Sequence, residues 1–110
     1  MPFLLNEILY SIKIGNIKEF KNCSSKLIIH DGTPIAVFKN GDNFFAIDNR
    51  CPHRGASLLN GDINNGVITC PWHGWKFLIS SGQALENSNC SVKKFSIYVE
   101  NDIINLNYDS

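Results

Sequence analysis

Four side chains in the middle of the chain could share one metal centre: Cys51, His53, Cys70 and His73. They come as two versions of one pattern, Cys51-Pro52-His53-Arg54-Gly55 and Cys70-Pro71-Trp72-His73-Gly74. One residue separates cysteine from histidine in the first stretch and two in the second. Thiolates are soft ligands and imidazoles borderline ones, so the set suits iron–sulfur, zinc or copper chemistry rather than calcium or magnesium. A Cys–His nucleophile pair needs only one copy of the pattern and leaves the second unexplained.

The distribution of the four narrows the choice. Zinc fingers usually offer a cysteine pair and then a histidine pair. Here each stretch gives one cysteine and one histidine, which fits a two-iron cluster with both cysteines on one iron and both histidines on the other. A structural zinc site is the alternative. The arrangement resembles the Rieske family, whose motif is Cys-x-His, some sixteen residues, then Cys-x-x-His, and the match falls on Cys51, His53, Cys70 and His73. The flanking Pro52, Gly55, Pro71 and Gly74 match as well, and the resemblance extends more weakly over nearly the whole chain. Physically, the prolines fix φ and stiffen the stretches. The glycines suit places where the backbone turns sharply or needs positive φ.

Around these stretches the chain must supply a scaffold. At 110 residues it is expected to form one domain, residues 1–110, with a real but modest core. Charged residues make up 18% of it, and ten basic side chains balance ten acidic ones, so no field draws it to nucleic acid or an anionic membrane. No stretch reaches the roughly 20 apolar residues of a membrane span, and the start Met1-Pro2-Phe3-Leu4-Leu5 lacks the features of a secretory signal. The expected compartment is the reducing cytoplasm, where Cys23 and Cys90 are read as unpaired thiols, a disulfide between them being the alternative.

Period-two alternation and turn signals predict strands over 7–14, 26–30, 34–39, 43–47, 67–69, 76–79, 92–100 and 103–108. Gly15 is read as the end of the first strand and 17–22 as a short helical turn. Asp31-Gly32, Asn40-Gly41-Asp42, Asn64-Asn65-Gly66, Ser80-Ser81-Gly82 and Asn101-Asp102 are the turns. Short strands with turns this frequent predict an all-β sandwich or barrel in which each ligand stretch is a loop at the end of a strand. His30, outside the motif, is given no role.

The resemblance implies an antiparallel β-sandwich carrying a small cluster-binding subdomain, about residues 48–85, with one [2Fe–2S] cluster per chain. Neutral imidazoles in place of two thiolates raise the potential and make the irons inequivalent. High-potential members of the family add a cysteine to each loop, forming a disulfide, and place a serine and a tyrosine after the second motif. Ala56, Trp72, Trp75 and Phe77 stand at those positions here. That pattern is similar to soluble Rieske ferredoxins and ring-hydroxylating oxygenases, and the chain lacks the residues for an oxygenase's second, mononuclear iron site.

The expected function is that of a one-electron carrier, not itself an enzyme, passing electrons from a reductase to a terminal oxygenase and monomeric when free. The alternatives are a small subunit of a nitrite-reductase-like complex and a redox-responsive binding module. Trp72, Trp75 and Phe77 are aromatic neighbours of the site, Phe77 read as packing and Trp72 as a partner anchor. Arg50, Arg54 and Lys76 give it a positive bias.

Overall fold

The computed structural model describes residues 10–21, 24–52, 57–71, 74–85 and 90–108. Nine strands follow one another among them: β1 (Tyr10–Asn16), β2 (Ser25–His30), β3 (Thr33–Asn40), β4 (Asn43–Asp48), β5 (Asp62–Asn64), β6 (Val67–Thr69), β7 (Lys76–Leu78), β8 (Lys94–Glu100) and β9 (Ile103–Tyr108). The rest of the described regular structure is two 3-10 turns, Ile17–Phe20 and Leu58–Asn60. No helix among the described residues is long and apolar enough to cross a membrane.

All described pairings are antiparallel, in a six-stranded sheet ordered β1-β9-β8-β4-β3-β2 and a three-stranded sheet ordered β5-β6-β7. The hairpins follow turn chemistry. Asp31-Gly32 and Asn65-Gly66 both have two consecutive positive φ values, and so do Asn101-Asp102. That is the mirror-image turn whose twist matches the flanking strands.

β4 and β8 share only two register pairs, Ala46 with Phe95 and Ile47 with Lys94, where the two halves of the large sheet join. One apolar cluster gathers Ile35, Val37 and Ala46 from one half of this sheet with Ile104 and Leu106 from the other, Ile12 and Ile28 packing in from the outermost strands. The two halves therefore face each other as a sandwich. The Glu19–Lys26 ion pair ties the turn after β1 to β2.

β3 is the wall between two cores. Ile35 and Val37 face the sandwich interior; Ala36 and Phe38 face the three-stranded sheet with Ile47, Ile68 and Phe77. All four β3 residues are fully buried, which is why this run is apolar without alternation. Leu27 and Ile29 pair with Ala36 and Pro34, so they share the second face, yet both are exposed because the small sheet does not extend over β2.

Two expectations need correction. Gly15 does not end β1: the strand continues to Asn16 across a bulge at Ile14, where the register moves from Lys13–Asn105 to Gly15–Ile104. Ile12 and Ile14, two residues apart, both pack on the sandwich core. Asp62–Asn64, where no strand is predicted and Asn64 is read as the start of a turn, is the strand β5. The part of the first predicted strand before Tyr10 lies outside the described residues.

Candidate metal centre

Cys51 follows β4 and Cys70 follows β6, so each thiol stands where a strand gives way to a loop. Both are 1% exposed and belong to the same apolar cluster, beside Leu58, Ile68, Phe77 and Ile79. Neither is in a disulfide. Two thiols outside any disulfide, buried in one apolar cluster, are the donor chemistry a soft metal centre needs. His53 and His73 lie outside the described residues, as do Arg54, Gly55, Ala56, Trp72 and Cys23.

The first loop is closed at its base. Arg50 bridges Ser57. The Asn49 carbonyl accepts from the Leu58 N–H at 2.8 Å, and its side chain accepts from the Leu59 N–H at 2.7 Å and donates to the Ser57 hydroxyl at 2.9 Å. The Asn49 N–H donates to the Pro34 carbonyl at 2.8 Å, which fastens the loop to β3. Asp48 accepts from the Arg50 N–H and takes its guanidinium through both carboxylate oxygens. Burial works against the Asp48 charge, but the Arg50 hydrogen bonds and the positive charges of Arg50 and Lys93 outweigh it and hold the carboxyl below its ordinary value.

The second loop is closed by the Cys70 N–H donating to the Trp75 carbonyl at 2.6 Å. Gly74 has φ +71 with open space around it, so its conformation alone calls for glycine, as the sequence predicts. The loops meet at Gly61. A Cβ there would come within 2.0 Å of the carbonyl oxygen of Thr69, the residue before Cys70. Glycine thus lets the exit of the first loop press against the entry to the second.

Phe77 is fully buried and stacks with Trp75, ring centres 6.4 Å apart. Its packing role is as predicted. Arg50 and Lys76 are exposed at the loop bases, and a cavity of about 250 Å³ opens beside Cys51, lined by Arg50, Pro52, Ser91, Val92 and Lys93. Cys90 is a half-buried free thiol packed against the same cluster. Sequence reasoning missed Asn49 and Gly61. The only signal for Asn49 was its place two residues before Cys51.

Known proteins agree with this architecture. Ferredoxin CarAc of Metapseudomonas resinovorans is 41% identical over 59 residues, 54% of this chain and 54% of that protein. Apoptosis-inducing factor 3 of Homo sapiens is 30% identical over 90 residues, 81% of this chain but 15% of that protein. The chain thus spans about half the length of one relative and a small part of the other. Among solved structures, the ferredoxin of carbazole 1,9a-dioxygenase from Nocardioides aromaticivorans IC177 superposes with a TM-score of 0.82 at 22% identity, covering 90% of this chain and 98% of that one, which shows the shared fold. The Rieske [2Fe-2S] domain matches residues 11–96, from β1 into β8 and across both loops, so the chain belongs to the Rieske [2Fe-2S] domain family and its cofactor is a [2Fe–2S] cluster.

Proposed function

We propose that this chain is a one-electron carrier, one domain over residues 1–110 whose part from about 48 to 85 holds the cluster through Cys51, His53, Cys70 and His73. The observation that carries this reading is the pair of buried thiols in one apolar cluster, each opening a loop with a histidine in its sequence. When bound, the cluster supplies one-electron redox chemistry at a potential set by its mixed ligands and surroundings.

The chain's own residues do the holding. Leu58, Ile68, Phe77 and Ile79 keep water from the thiols. Asn49 and the Cys70–Trp75 bond close the two loops. The proposed partners are a reductase and a terminal oxygenase, in the cytoplasm, with no catalytic role for the chain itself. The similarity to Ferredoxin CarAc and the fold shared with a dioxygenase ferredoxin support this. A second reading, a fixed electron-transfer module of a larger assembly, is favoured by the similarity to Apoptosis-inducing factor 3, where the match occupies a small part of a longer chain.

Protein made anaerobically with ample iron should hold iron and acid-labile sulfide in equal amounts. The reduced state should show nitrogen coupling from two histidines. The midpoint potential should fall in the lower part of the roughly −150 to +300 mV range, because Trp75 and Phe77 offer no hydroxyl to sulfur. Zinc without sulfide would falsify the ligand assignment. Purification alone, with reversible electron uptake from a reductase, supports the free carrier; persistent association with a larger chain supports the module.

A further inference from the structure

We propose that Asn49 is a positioning residue for the cluster: its buried carboxamide clips together the two ends of the loop that carries Cys51 and His53. The inference rests on the ligand assignment above. Asn49 is 5% exposed, and among the described residues it shares the buried polar class only with Asn105. Asn105 spends its amide locally, on the carbonyl of Ile103 two residues away. Asn49 reaches eight and ten residues along the chain, to the Ser57 hydroxyl at 2.9 Å and the Leu59 N–H at 2.7 Å.

Both amide atoms of Asn49 are engaged, and so are its backbone N–H and carbonyl, the former on Pro34 of β3 and the latter on Leu58. A leucine would fill similar space and pack against the apolar neighbours. A carboxamide is justified there by what it connects, since a buried polar group with all partners satisfied fixes one geometry where apolar packing tolerates several. One end of the connection is β3, the doubly buried wall. The other is the segment in which the sequence places two of the four ligands, and it holds no described strand or helical turn until Leu58. Asn49 therefore carries the rigidity of the scaffold into the first loop. Ser57 serves as the far jaw of the clip, held to Arg50 by the bridge at the loop base.

The test uses the full chain with its cluster, as wild type, Asn49→Ala, Ser57→Ala and Asn49→Asp. Three quantities are read: the rate of iron release to a chelator, the histidine nitrogen couplings of the reduced state, and thermal melting of the β structure. Asn49→Ala removes two hydrogen bonds and should release iron roughly tenfold faster, with altered couplings. Ser57→Ala removes one and should accelerate release about threefold. Asn49→Asp can accept from both the Leu59 N–H and the Ser57 hydroxyl, so it should restore release and couplings to near the wild-type values. Release and couplings unchanged in Asn49→Ala overturn the proposal. So does a lowered melting point with an unchanged cluster signature, which would make Asn49 a packing residue only. If Asn49→Ala does not fold, Ser57→Ala decides: wild-type release and couplings in that variant overturn the clip. Wild-type protein without two-histidine coupling overturns the ligand assignment instead, and shows this before any variant is made.

Discussion

The two cores on either side of β3 are built differently. The sandwich core is aliphatic and aromatic throughout, walled mostly by strands of six to eight residues. The other core contains Cys51 and Cys70, and the sheet that covers it has strands of three residues each. Short strands contribute few ladder bonds, so this half leans on loop closures such as Asn49–Leu59 and Cys70–Trp75. Under the proposed ligand assignment it also leans on the cluster its thiols would hold. A metal site absent from the unfolded chain adds its binding free energy to folding. The contrast predicts a base that stands without the cofactor and a region whose order depends on it.

The hardest way to break that contrast is to remove the cofactor. Cys70→Ser should lose nearly all cluster absorbance, iron and sulfide. Hydrogen exchange on the same protein should show β5, β6 and β7 amides exchanging at least tenfold faster, with β3, β4 and β9 protected as before. If all strands lose protection together, the base is not self-sufficient and the comparison fails.

Matched cavities sharpen it. Ile35 and Phe77 are both fully buried, one in each core. Ile35→Ala should cost about 2–5 kcal/mol and Phe77→Ala about 3–5 kcal/mol in denaturant unfolding of the loaded protein. The difference should appear in the spectrum. Ile35→Ala should keep the wild-type cluster signature up to its lower melting point. Phe77→Ala should release iron well below its own melting point, because water reaches the thiols.

The smallest effect is expected at the boundary, where Asp48 ends β4 and holds Arg50. The Asp48 carboxyl lies below its ordinary value of 3.8 in the folded chain. Its contribution is therefore present above that value and is lost as pH falls through the folded value. Asp48→Asn should destabilise by no more than about 1 kcal/mol near neutrality, since the guanidinium is largely solvated. The gap between wild type and variant should close as the pH is taken below about 4. A gap that widens in acid would show that Asp48 is not held as its carboxylate.

Much of the base was legible in the sequence because its signals are local. Asp31-Gly32 and Asn101-Asp102 mark hairpins whatever surrounds them, and the unalternating run Ile35-Ala36-Val37-Phe38 is strand-like even before its two-sided burial is known. The proposed ligands stand out for the same reason, as residue types at fixed spacing. What escaped reading is long-range. A three-residue strand such as β5 offers a single period of alternation. Gly15 looks like a stop, and only its partner Ile104 shows that pairing continues. Gly61 looks like any turn glycine until Thr69 is set against it. Asn49 has no local mark, because its work is done with Pro34, Ser57 and Leu59.

The doubly buried β3 also bears on which changes of length the chain can absorb. Successive side chains of a strand point to opposite faces. One residue inserted between Pro34 and Ile35 would turn Phe38 toward the sandwich and Ile35 and Val37 toward the cysteines, exchanging the contents of two cores that differ in composition. A strand with one solvated face can recover from such a slip by exposing the misplaced residues. β3 has no solvated face to offer, so its spacing from Ile35 to Phe38 is fixed from both sides, and an added residue is better borne in the following turn, where Gly41 and Asp42 are exposed.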